Sequence, residues 1–338
     1  MQPNANNWRD SQPSRSFSAL PRYDVKMNNA ILAEEKHVPL YDELTSNYSV
    51  DYIAGGATQN SIRVAQWMLG SDGEGATSYI GCIGKDAFGE QLKAAAGKDG
   101  LATYYMEDET APTGTCAVLV KDKERSLVAN LSAANNYKID HLNTEALQAV
   151  VQSSKVVYSA GFFLTVSPAS MIAAGKHCAE TGGYFTTNLS APFLCAVFKE
   201  QMHSVLPYAD IVFGNESEAA AFAEANEFAG ASVAEVALKI SALPKASGTH
   251  GRVVVITQGS ESTIVAKDGK VTEYAVTPIE EASIVDTNGA GDAFVGGFLA
   301  KFLKGDAIEK CVDAGHWAAG QIIQQSGCVF PAKCEYSA

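Results

Sequence analysis

Strand and helix signals alternate through the second half of this chain, and that alternation restricts the fold more than any other feature. Short apolar runs typical of buried strands lie at 156–160, 184–189, 211–213 and 253–257. Helical segments follow the first three, and the first of these helices is predicted over 168–181. Because strands joined through helices form parallel sheets, we expect an α/β fold with a doubly wound, mostly parallel sheet flanked by helices. Ligands of such folds bind at the C-terminal ends of the strands.

A glycine-rich turn late in the chain, Asp286–Phe294, has the layout of a phosphate-binding loop. The pattern predicts a strand over 283–286, then the turn, then a helix. Gly289 and Gly291 can adopt backbone angles that other residues avoid, so that consecutive N–H groups can converge on an anion. Asp292 would repel a phosphate unless it accepts a proton from the attacking group, which suggests a general base for phosphoryl transfer. An ordinary tight connection is the alternative interpretation.

Two other nucleotide-binding motifs do not fit this sequence. The dinucleotide fingerprint would need a glycine where Phe294 stands, and it normally occupies the first strand-to-helix turn of a chain. The sequence contains no Gly-x-x-x-x-Gly-Lys-Ser/Thr loop, which argues against the P-loop ATPases.

Charge and composition exclude several classes of partner. The 338 residues carry a formal net charge of −13, so we expect neither a nucleic-acid surface nor an anionic-membrane surface, since both need a basic face. No apolar run approaches the roughly 18 to 20 residues that span a bilayer. An acidic protein that binds a polyphosphate needs a divalent cation or a few well-placed basic residues. We expect a monomer that binds small molecules.

The cysteines indicate a reducing compartment. Seven cysteines are dispersed, and none forms a Cys-x-x-Cys pair, which is typical of reduced thiols rather than of disulfides or a zinc site. We therefore expect a cytoplasmic protein, with the nucleus as a second location. Residues 1–22 are polar and rich in Asn, Ser and Pro, and they are predicted to form a disordered tail rather than an organelle-targeting peptide.

Two further segments have a composition suited to a ligand site. Gly55 and Gly56 precede a helical segment at 61–69, an arrangement that favours either a plain turn or close approach of a polar ligand to the backbone. Asn215 and Glu218 follow a strand and share one side of a helix's first turn, where they could hold hydrated Mg²⁺ through water. An ordinary helix N-terminus with its favoured acidic residues is the alternative.

Taken together, these segments resemble the adenosine kinases of the ribokinase-like (PfkB) family, from about Tyr23 to Tyr336. The glycine-rich turn alone indicates the superfamily, and the other motifs narrow it to adenosine kinases rather than sugar kinases. The resemblance is carried by Ala54-Gly55-Gly56-Ala57-Thr58-Gln59-Asn60-Ser61, Ala160-Gly161-Phe162-Phe163-Leu164-Thr165-Val166-Ser167-Pro168, Asn188-Leu189-Ser190-Ala191-Pro192-Phe193, Phe213-Gly214-Asn215-Glu216 and Asp286–Phe294.

The resemblance implies a kinase domain over 23–338 with a small β-rich lid drawn from about 26–40 and 103–135. It implies transfer of the γ-phosphoryl group of ATP, with Mg²⁺, to the 5′-hydroxyl of adenosine. Asp292 would be the base, and Arg125 would come from the lid to neutralise phosphate charge. Asn215 and Glu218 would order Mg²⁺ and its waters. The anion hole would comprise Asn288, Gly289, Ala290 and Gly291.

The resemblance also implies how the substrates are held. Gly56 and Asn60 would hold the ribose hydroxyls, and His316 would lie near the base of ATP, although His316 read by itself is a packing or rim residue. The adenine of the substrate would be enclosed by Leu32, Leu127, Ala129, Phe163 and Phe193.

One departure from the family opens an alternative. Family members begin with a strand of approximate sequence Gly-Asn-Pro-Leu-Leu-Asp-Ile, whose aspartate holds the ribose, and we expect that strand to be absent here. A catalytically impaired form that binds nucleotide without turnover is therefore the second hypothesis. A sugar kinase of the same superfamily is a weaker third.

Overall fold

The computed structural model describes residues 4–8, 22–26, 30–48, 50–121, 124–246 and 250–337; the side chains of residues 4–8, 51, 120, 121, 124 and 125 are outside this description. The strands are β1 Asn4–Trp8, β2 Ala30–Leu32, β3 Val50–Ile53, β4 Ser78–Gly84, β5 Ala102–Asp108, β6 Thr115–Lys121, β7 Glu124–Asn130, β8 Val156–Ala160, β9 Tyr184–Asn188, β10 Ile211–Asn215, β11 Val253–Gln258, β12 Glu261–Lys267 and β13 Lys270–Tyr274.

The α-helices are α1 Val38–Asn47, α2 Ala57–Leu69, α3 Ala87–Lys98, α4 Ile139–Leu142, α5 Glu145–Ser153, α6 Pro168–Thr181, α7 Pro192–Val197, α8 Lys199–Val205, α9 Glu216–Ala225, α10 Val233–Ser241, α11 Ala290–Leu303 and α12 Ile308–Ile323. Short 3₁₀ helices lie at Glu35–His37, Gly70–Gly73, Ser132–Asn136, Gly161–Thr165, Leu206–Tyr208 and Glu281–Ser283. In the described part of the chain, no helix is both long and apolar enough to cross a bilayer.

The chain divides into two compact units. The first comprises Met1–Asn136, Ile279–Ala300 and Asp313–Ala338, and the second comprises Tyr137–Pro278 and Lys301–Val312. Both segments predicted to form a lid, 26–40 and 103–135, lie in the first unit. They contribute β2, β6 and β7 to a five-stranded sheet, and β5 pairs separately with β4 in a parallel pair. Movement of these strands as a lid stays a prediction.

The five-stranded sheet of the first unit has the order β2-β7-β6-β1-β3. Side chains of β6 alternate between its two faces, as the pleat of a strand requires. Ala117 and Leu119 pack with Leu40 and Leu44 of α1 in one apolar cluster. Their neighbours on the opposite face belong to a second cluster, which comprises Cys116, Val118 and Ala129, with Leu32 and Leu127 packed against it.

The prediction of a disordered tail over 1–22 is wrong for five of its residues. Asn4–Trp8 forms β1, which pairs antiparallel with β3 and parallel with β6. Polar composition favours an unpaired segment, but backbone hydrogen bonds to two flanking strands are available to any non-proline residue. Residues 9–21 lie outside the described residues, as do residues 1–3.

The sheet of the second unit confirms the mostly parallel α/β prediction. Its order is β13-β12-β11-β10-β9-β8; β8 to β11 run parallel, and the hairpin strands β12 and β13 are antiparallel at the edge. Helix α6 begins with Pro168 at its first turn and ends at Gly182, whose φ of 75° is left-handed, so both boundaries match the prediction. The apolar core includes Phe185, Val254 and Phe222.

Candidate active site

The glycine-rich turn lies in the first unit and is not preceded by a strand. Residues 284–286 are irregular after a 3₁₀ turn, so the predicted strand over 283–286 is wrong. The backbone N–H groups of Val285 and Asp286 donate to the carbonyl oxygen of Ile323, at 2.8 and 3.2 Å. Ile323 is the last residue of α12, where carbonyl groups have no partner within the helix. That helix end takes the hydrogen bonds that a neighbouring strand would otherwise make.

Asp286 stabilises the turn through hydrogen bonds from its buried carboxylate. Its carboxylate is 2% exposed and accepts from the N–H of Asn288 at 2.8 Å and from the N–H of Gly327 at 3.0 Å. The first bond closes an Asx turn, and the second ties the turn to the C-terminal segment. The sequence analysis assigned Asp286 no role, although an aspartate directly before a polar turn is a recognisable signal for this cap.

The predicted anion-hole residues occupy the start of α11. Gly289 has a φ of 80°, in the region that favours glycine, and a Cβ there would lie 3.2 Å from Cβ of Cys328. The carbonyl oxygen of Gly289 accepts the N–H of Ala293 at 2.8 Å, which begins the helix. Helix N-termini favour anions because their first N–H groups point outward and carry the positive end of the dipole. The arrangement suits a phosphate, and the role of Ala290 and Gly291 in binding one stays a prediction.

Asp292 and Asn60 are in direct contact. The Nδ2 group of Asn60 donates to Oδ2 of Asp292 at 2.9 Å; Asp292 is half-buried, whereas Asn60 is 3% exposed. Asn60 is held in turn by its own N–H, which donates to the carbonyl oxygen of Gly56 at 2.7 Å. Gly56 has a φ of 107° at the N-cap of α2. The structure therefore joins the predicted ribose-binding residues to the predicted base.

Glycines allow the two helices that carry these residues to approach closely. A Cβ on Gly296 of α11 would lie 2.4 Å from the carbonyl oxygen of Ser61 on α2. A Cβ on Gly297 would lie 2.4 Å from the carbonyl oxygen of Ala314 on α12. Helix α11 is thus enclosed on two sides at backbone contact distance, which fixes the position of Asp292 relative to Asn60.

Arg63 is a second residue that the sequence analysis missed. It is 7% exposed, and its Nε donates to Asp99 at 2.6 Å. Its Nη1 donates to the carbonyl oxygens of Ala54 and Cys328, at 3.3 and 3.4 Å. The guanidinium group also lies 5.3 Å from the ring centroid of Phe330. One buried cation therefore connects the segment before α2 to the C-terminal segment beneath the glycine-rich turn.

The sulfur beside the turn is a structural group. Cys328 is fully buried, and burial raises the pKa of its thiol to about 12, with Arg63 opposing the rise. All seven cysteines are free thiols, and burial raises the pKa of Cys178, Cys195 and Cys311 to about 12 as well. Such thiols are poor nucleophiles because the thiolate is the reactive form.

In the second unit, Asn215 and Glu218 form a reciprocal helix cap on α9. Asn215 Oδ1 accepts the N–H of Glu218 at 2.9 Å, and Glu218 Oε2 accepts the N–H of Asn215 at 3.0 Å. Asn215 Nδ2 also donates to Glu218 Oε1 at 3.0 Å. The alternative that the sequence analysis kept open, a capped helix N-terminus, is therefore present, and it leaves the magnesium role untested.

This cap fits a hydrated cation better than a directly bound one. Glu218 is 5% exposed, and each of its carboxylate oxygens already accepts a hydrogen bond from Asn215, which limits the lone pairs available to a directly bound ion. Nowhere in the described ranges do three or more His, Cys, Asp or Glu side chains converge in a group that would hold a metal ion. Contact through water, which Mg²⁺ commonly keeps, is compatible with both observations.

The other predicted substrate residues fall into two groups, one in each unit. Phe163 lies in the second unit, edge-on to Tyr137 with 5.3 Å between ring centroids. Phe193, also in the second unit, lies beside Phe162 at 6.3 Å. Gly161 supports this region: its N–H donates to Ser190 Oγ at 2.8 Å, and a Cβ there would lie 2.3 Å from a carbonyl oxygen. The first unit brings together Leu32, Leu127 and Ala129.

The last two predicted site residues, His316 and Arg125, are described to different extents. His316 is half-buried on α12, its ring 5.5 Å from that of Phe294, and burial lowers its pKa while Asp313 opposes the shift. A neutral, ring-packed imidazole agrees with the rim position expected from the sequence. Arg125 is the second residue of β7, opposite Val120 of β6, and its side chain lies outside the described residues.

Comparison with known proteins shows the family of this chain. A model of the pfkB family of carbohydrate kinases matches residues 18–334. This chain belongs to the pfkB family. Within the family it lies among the adenosine kinases: it is 54% identical to adenosine kinase 2 of Arabidopsis thaliana over 318 residues, 94% of this chain and 92% of that protein.

Solved structures of the family agree with the fold. Adenosine kinase of Anopheles gambiae in complex with P1,P4-di(adenosine-5) tetraphosphate has a TM-score of 0.92 and 43% identity, covering 95% of this chain and 94% of that chain. Adenosine kinase from Schistosoma mansoni in complex with adenosine and AMP has a TM-score of 0.90 and 34% identity, covering 99% and 96%. The pfkB fold, here a mixed α/β architecture, is therefore the fold of this chain.

Proposed function

We propose that this pfkB-family chain transfers the γ-phosphoryl group of ATP to the 5′-hydroxyl of adenosine. The hydroxyl oxygen attacks the γ-phosphorus, the bond from phosphorus to the bridging oxygen breaks, and ADP leaves with that electron pair. The proton of the hydroxyl goes to the carboxylate of Asp292, and AMP is the second product. The observation that carries the proposal is a half-buried Asp292 held by Asn60 in the first turn of α11.

The start of α11 supports binding of the transferred phosphoryl group. Negative charge builds up on the phosphoryl oxygens during transfer, and fixed N–H dipoles stabilise it without having to reorganise. Asp286 fixes the turn that presents those dipoles, through its bonds to the N–H groups of Asn288 and Gly327. Asp292 is then positioned beside the phosphoryl group, where a carboxylate is useful only as a proton acceptor.

A divalent cation completes the proposal. When bound, Mg²⁺ would supply positive charge that offsets the negative charge developing on the phosphate groups. Asn215 and Glu218 would orient its water ligands from the start of α9. Two features of this chain support that assignment, the buried carboxylate of Glu218 and the net charge of −13.

Replacing Asp292 by Asn tests the proposed base. The substitution keeps size and hydrogen-bonding capacity but removes the proton acceptor, so we expect kcat for adenosine phosphorylation to fall about 10²- to 10⁴-fold. Asp268→Asn is the matched control, because Asp268 is exposed with a φ of 50°, a conformation that asparagine also accepts. AMP formation is measured with purified protein, adenosine and MgATP.

Three outcomes would contradict this proposal. Equal turnover by the wild type and Asp292→Asn would remove Asp292 as the base. A wild type that binds adenosine in titration calorimetry but forms no AMP would favour the alternative of nucleotide binding without turnover. Phosphorylation of ribose or fructose in preference to adenosine would favour the sugar kinase alternative.

A further inference from the structure

The side-chain amide of Asn60 uses its Nδ2 donor in a hydrogen bond, whereas its Oδ1 acceptor has no partner within the described residues. Its Nδ2 group donates to Oδ2 of Asp292 at 2.9 Å. Its Oδ1 atom is buried and accepts no hydrogen bond from any part of the chain that the structure describes. Buried amide oxygens in folded proteins nearly always have a donor, so an orphaned one at a candidate site indicates a ligand group.

The position of this amide is fixed by its backbone. Asn60 lies in the first turn of α2, is 3% exposed, and donates its N–H to the carbonyl oxygen of Gly56 at 2.7 Å. The close contact between Gly296 and the carbonyl oxygen of Ser61 sets the distance between α2 and α11. The backbone of Asn60 is therefore held at a set distance from the helix that carries Asp292.

We infer that Asn60 is a positioning residue that couples recognition of the sugar to the catalytic base. Its N–H group orients the carboxylate of Asp292 and stabilises the ionised form, while its Oδ1 accepts a hydrogen bond from a hydroxyl group of the substrate's sugar. This inference rests on the proposed function and deepens it. The family resemblance assigns Asn60 to the ribose alone and gives it no action on the base.

The two halves of the amide act on each other. A hydroxyl that donates to Oδ1 polarises the amide and strengthens Nδ2 as a donor, as hydrogen bonds in a chain do. Binding of the correct sugar thus tightens the hold on Asp292. A sugar that lacks this hydroxyl leaves Oδ1 buried and unsatisfied, which weakens both binding and the orientation of the base.

The titratable groups on the elements packed around the site of Asp292 are either paired with other groups or have shifted pKa values. On α2, Arg63 pairs with Asp99 at 2.6 Å. In the C-terminal segment, burial raises the pKa of Cys328, whose thiol is therefore neutral. Below the turn, Asp286 accepts two backbone N–H groups, and on α12 burial lowers the pKa of His316. Replacing the amide donor of Asn60 therefore removes an uncharged hydrogen-bond partner of Asp292 and leaves these groups in place.

The test separates the two halves of the amide. Asn60→Asp keeps the shape and an acceptor for the sugar but replaces the N–H donor by a second carboxylate, and two adjacent carboxylates raise one another's pKa. We expect adenosine affinity within about threefold of the wild type, a kcat at neutral pH lower by about tenfold or more, and an acid limb of the pH–kcat profile displaced upward by about one unit or more. Asn60→Ala removes both halves, so affinity and kcat should both fall by about tenfold or more.

The sign of the pH effect follows from the donor. A hydrogen bond to the ionised carboxylate favours ionisation, so its loss raises the pKa of Asp292 and a higher pH is needed for the active form. Ser61→Ala is the control: Ser61 is the next residue on α2, and its hydroxyl donates to the carbonyl oxygen of Ala57 in the same helix. Its kinetic constants and pH profile should match those of the wild type.

The inference is overturned by an Asn60→Asp variant whose acid limb coincides with that of the wild type, or one that loses affinity while keeping kcat. A merely structural role would lower the melting temperature of Asn60→Ala without displacing its acid limb, because alanine removes the donor and adds no charge. Failure of the proposed function is seen separately, in wild-type protein that makes no AMP. If the wild type makes no AMP, titration calorimetry with adenosine still tests the acceptor role of Oδ1. Equal affinity in the wild type and Asn60→Ala would contradict that role.

Discussion

Arg252 makes an extensive set of buried hydrogen bonds in the second unit. It is 3% exposed, and each of its five donors is directed at a backbone carbonyl oxygen. Burial lowers the pKa of Arg252 to about 10, with Asp210 opposing the shift, so the group is still charged at neutral pH. The accepting carbonyl oxygens are those of Ala209, Ile240, Leu243, Leu206 and Pro244, at 2.6 to 3.1 Å.

Arg252→Lys keeps this charge but should lower stability by roughly 2 to 4 kcal/mol. An ammonium group has three donors and no planar fork, so at least two of the five carbonyl groups lose this buried donor. The midpoint of urea unfolding, followed by fluorescence, measures the loss. Lys270→Ala on the exposed edge strand β13 is the control and should change stability by about 0.5 kcal/mol or less. A stable Arg252→Lys would mean that water replaces the missing donors.

At the scale of elements, the position of α11 depends on the absence of side chains. A Cβ on Gly296 would lie 2.4 Å from the carbonyl oxygen of Ser61 and 2.7 Å from Cβ of Val64. Neither atom is the end of a flexible side chain, so α11 would have to move away from α2. Since α11 carries Asp292 and α2 carries Asn60, the packing of these helices controls the geometry of the proposed site.

Gly296→Ala should therefore reduce both stability and activity. Overpacking of this kind costs about 1 to 3 kcal/mol, and separation of Asn60 from Asp292 should lower kcat in addition. Gly97→Ala is a matched control, because Gly97 is a helical glycine of α3 with open space around it, and alanine there should stabilise by about 0.5 to 1 kcal/mol. Thermal melting and AMP formation measure the two effects. Full activity of Gly296→Ala would show that the interhelical distance does not set the site.

The elements differ in how far their sequences determine them. Helix α6 was predicted with both ends because Pro168 and Gly182 are local signals that no distant contact overrides. The strand predicted over 283–286 failed because a β-branched run does not tell whether its N–H groups meet a strand or, as here, the end of α12. Strands β5 and β12 were not predicted; β5 lacks a clear alternation of buried and exposed residues.

The same distinction applies to the candidate site. Local spacing predicted Asp292 at a helix start and the pair Asn215 and Glu218 at another, and the structure has both features. The bond from Asn60 to Asp292 joins residues 232 positions apart, a contact that spacing alone cannot reveal. Arg63 was missed for a similar reason, since a charged residue within a helical apolar pattern gains its partners only when the chain folds.

At the scale of the whole molecule, the acidic balance of the chain supports the proposed requirement for a divalent metal ion. A protein with a net charge of −13 disfavours a polyphosphate unless positive charge accompanies it. We expect chelation of divalent cations to abolish AMP formation, and added Mg²⁺ to restore it where an equal ionic strength of NaCl does not. Screening by salt weakens long-range repulsion but supplies no divalent charge next to the phosphate groups. Activity that survives chelation would contradict the magnesium proposal.

Glu218→Gln tests whether the proposed magnesium requirement arises at the start of α9. Glutamine is also accepted at this position of a capping box and retains an acceptor for the N–H of Asn215, but it loses the acceptor for Nδ2 of Asn215, so the melting temperature should fall modestly while the fold is kept. The lost negative charge should raise the Mg²⁺ concentration for half-maximal activity by about tenfold, as expected for a group that orients the waters of a metal ion. Glu216→Gln, an exposed acid in the same first turn of α9, removes the same charge from the molecule and serves as the control. Equal magnesium requirements in the two variants would assign the effect to net charge alone, whereas a change confined to Glu218→Gln would place the hydrated ion at this helix start.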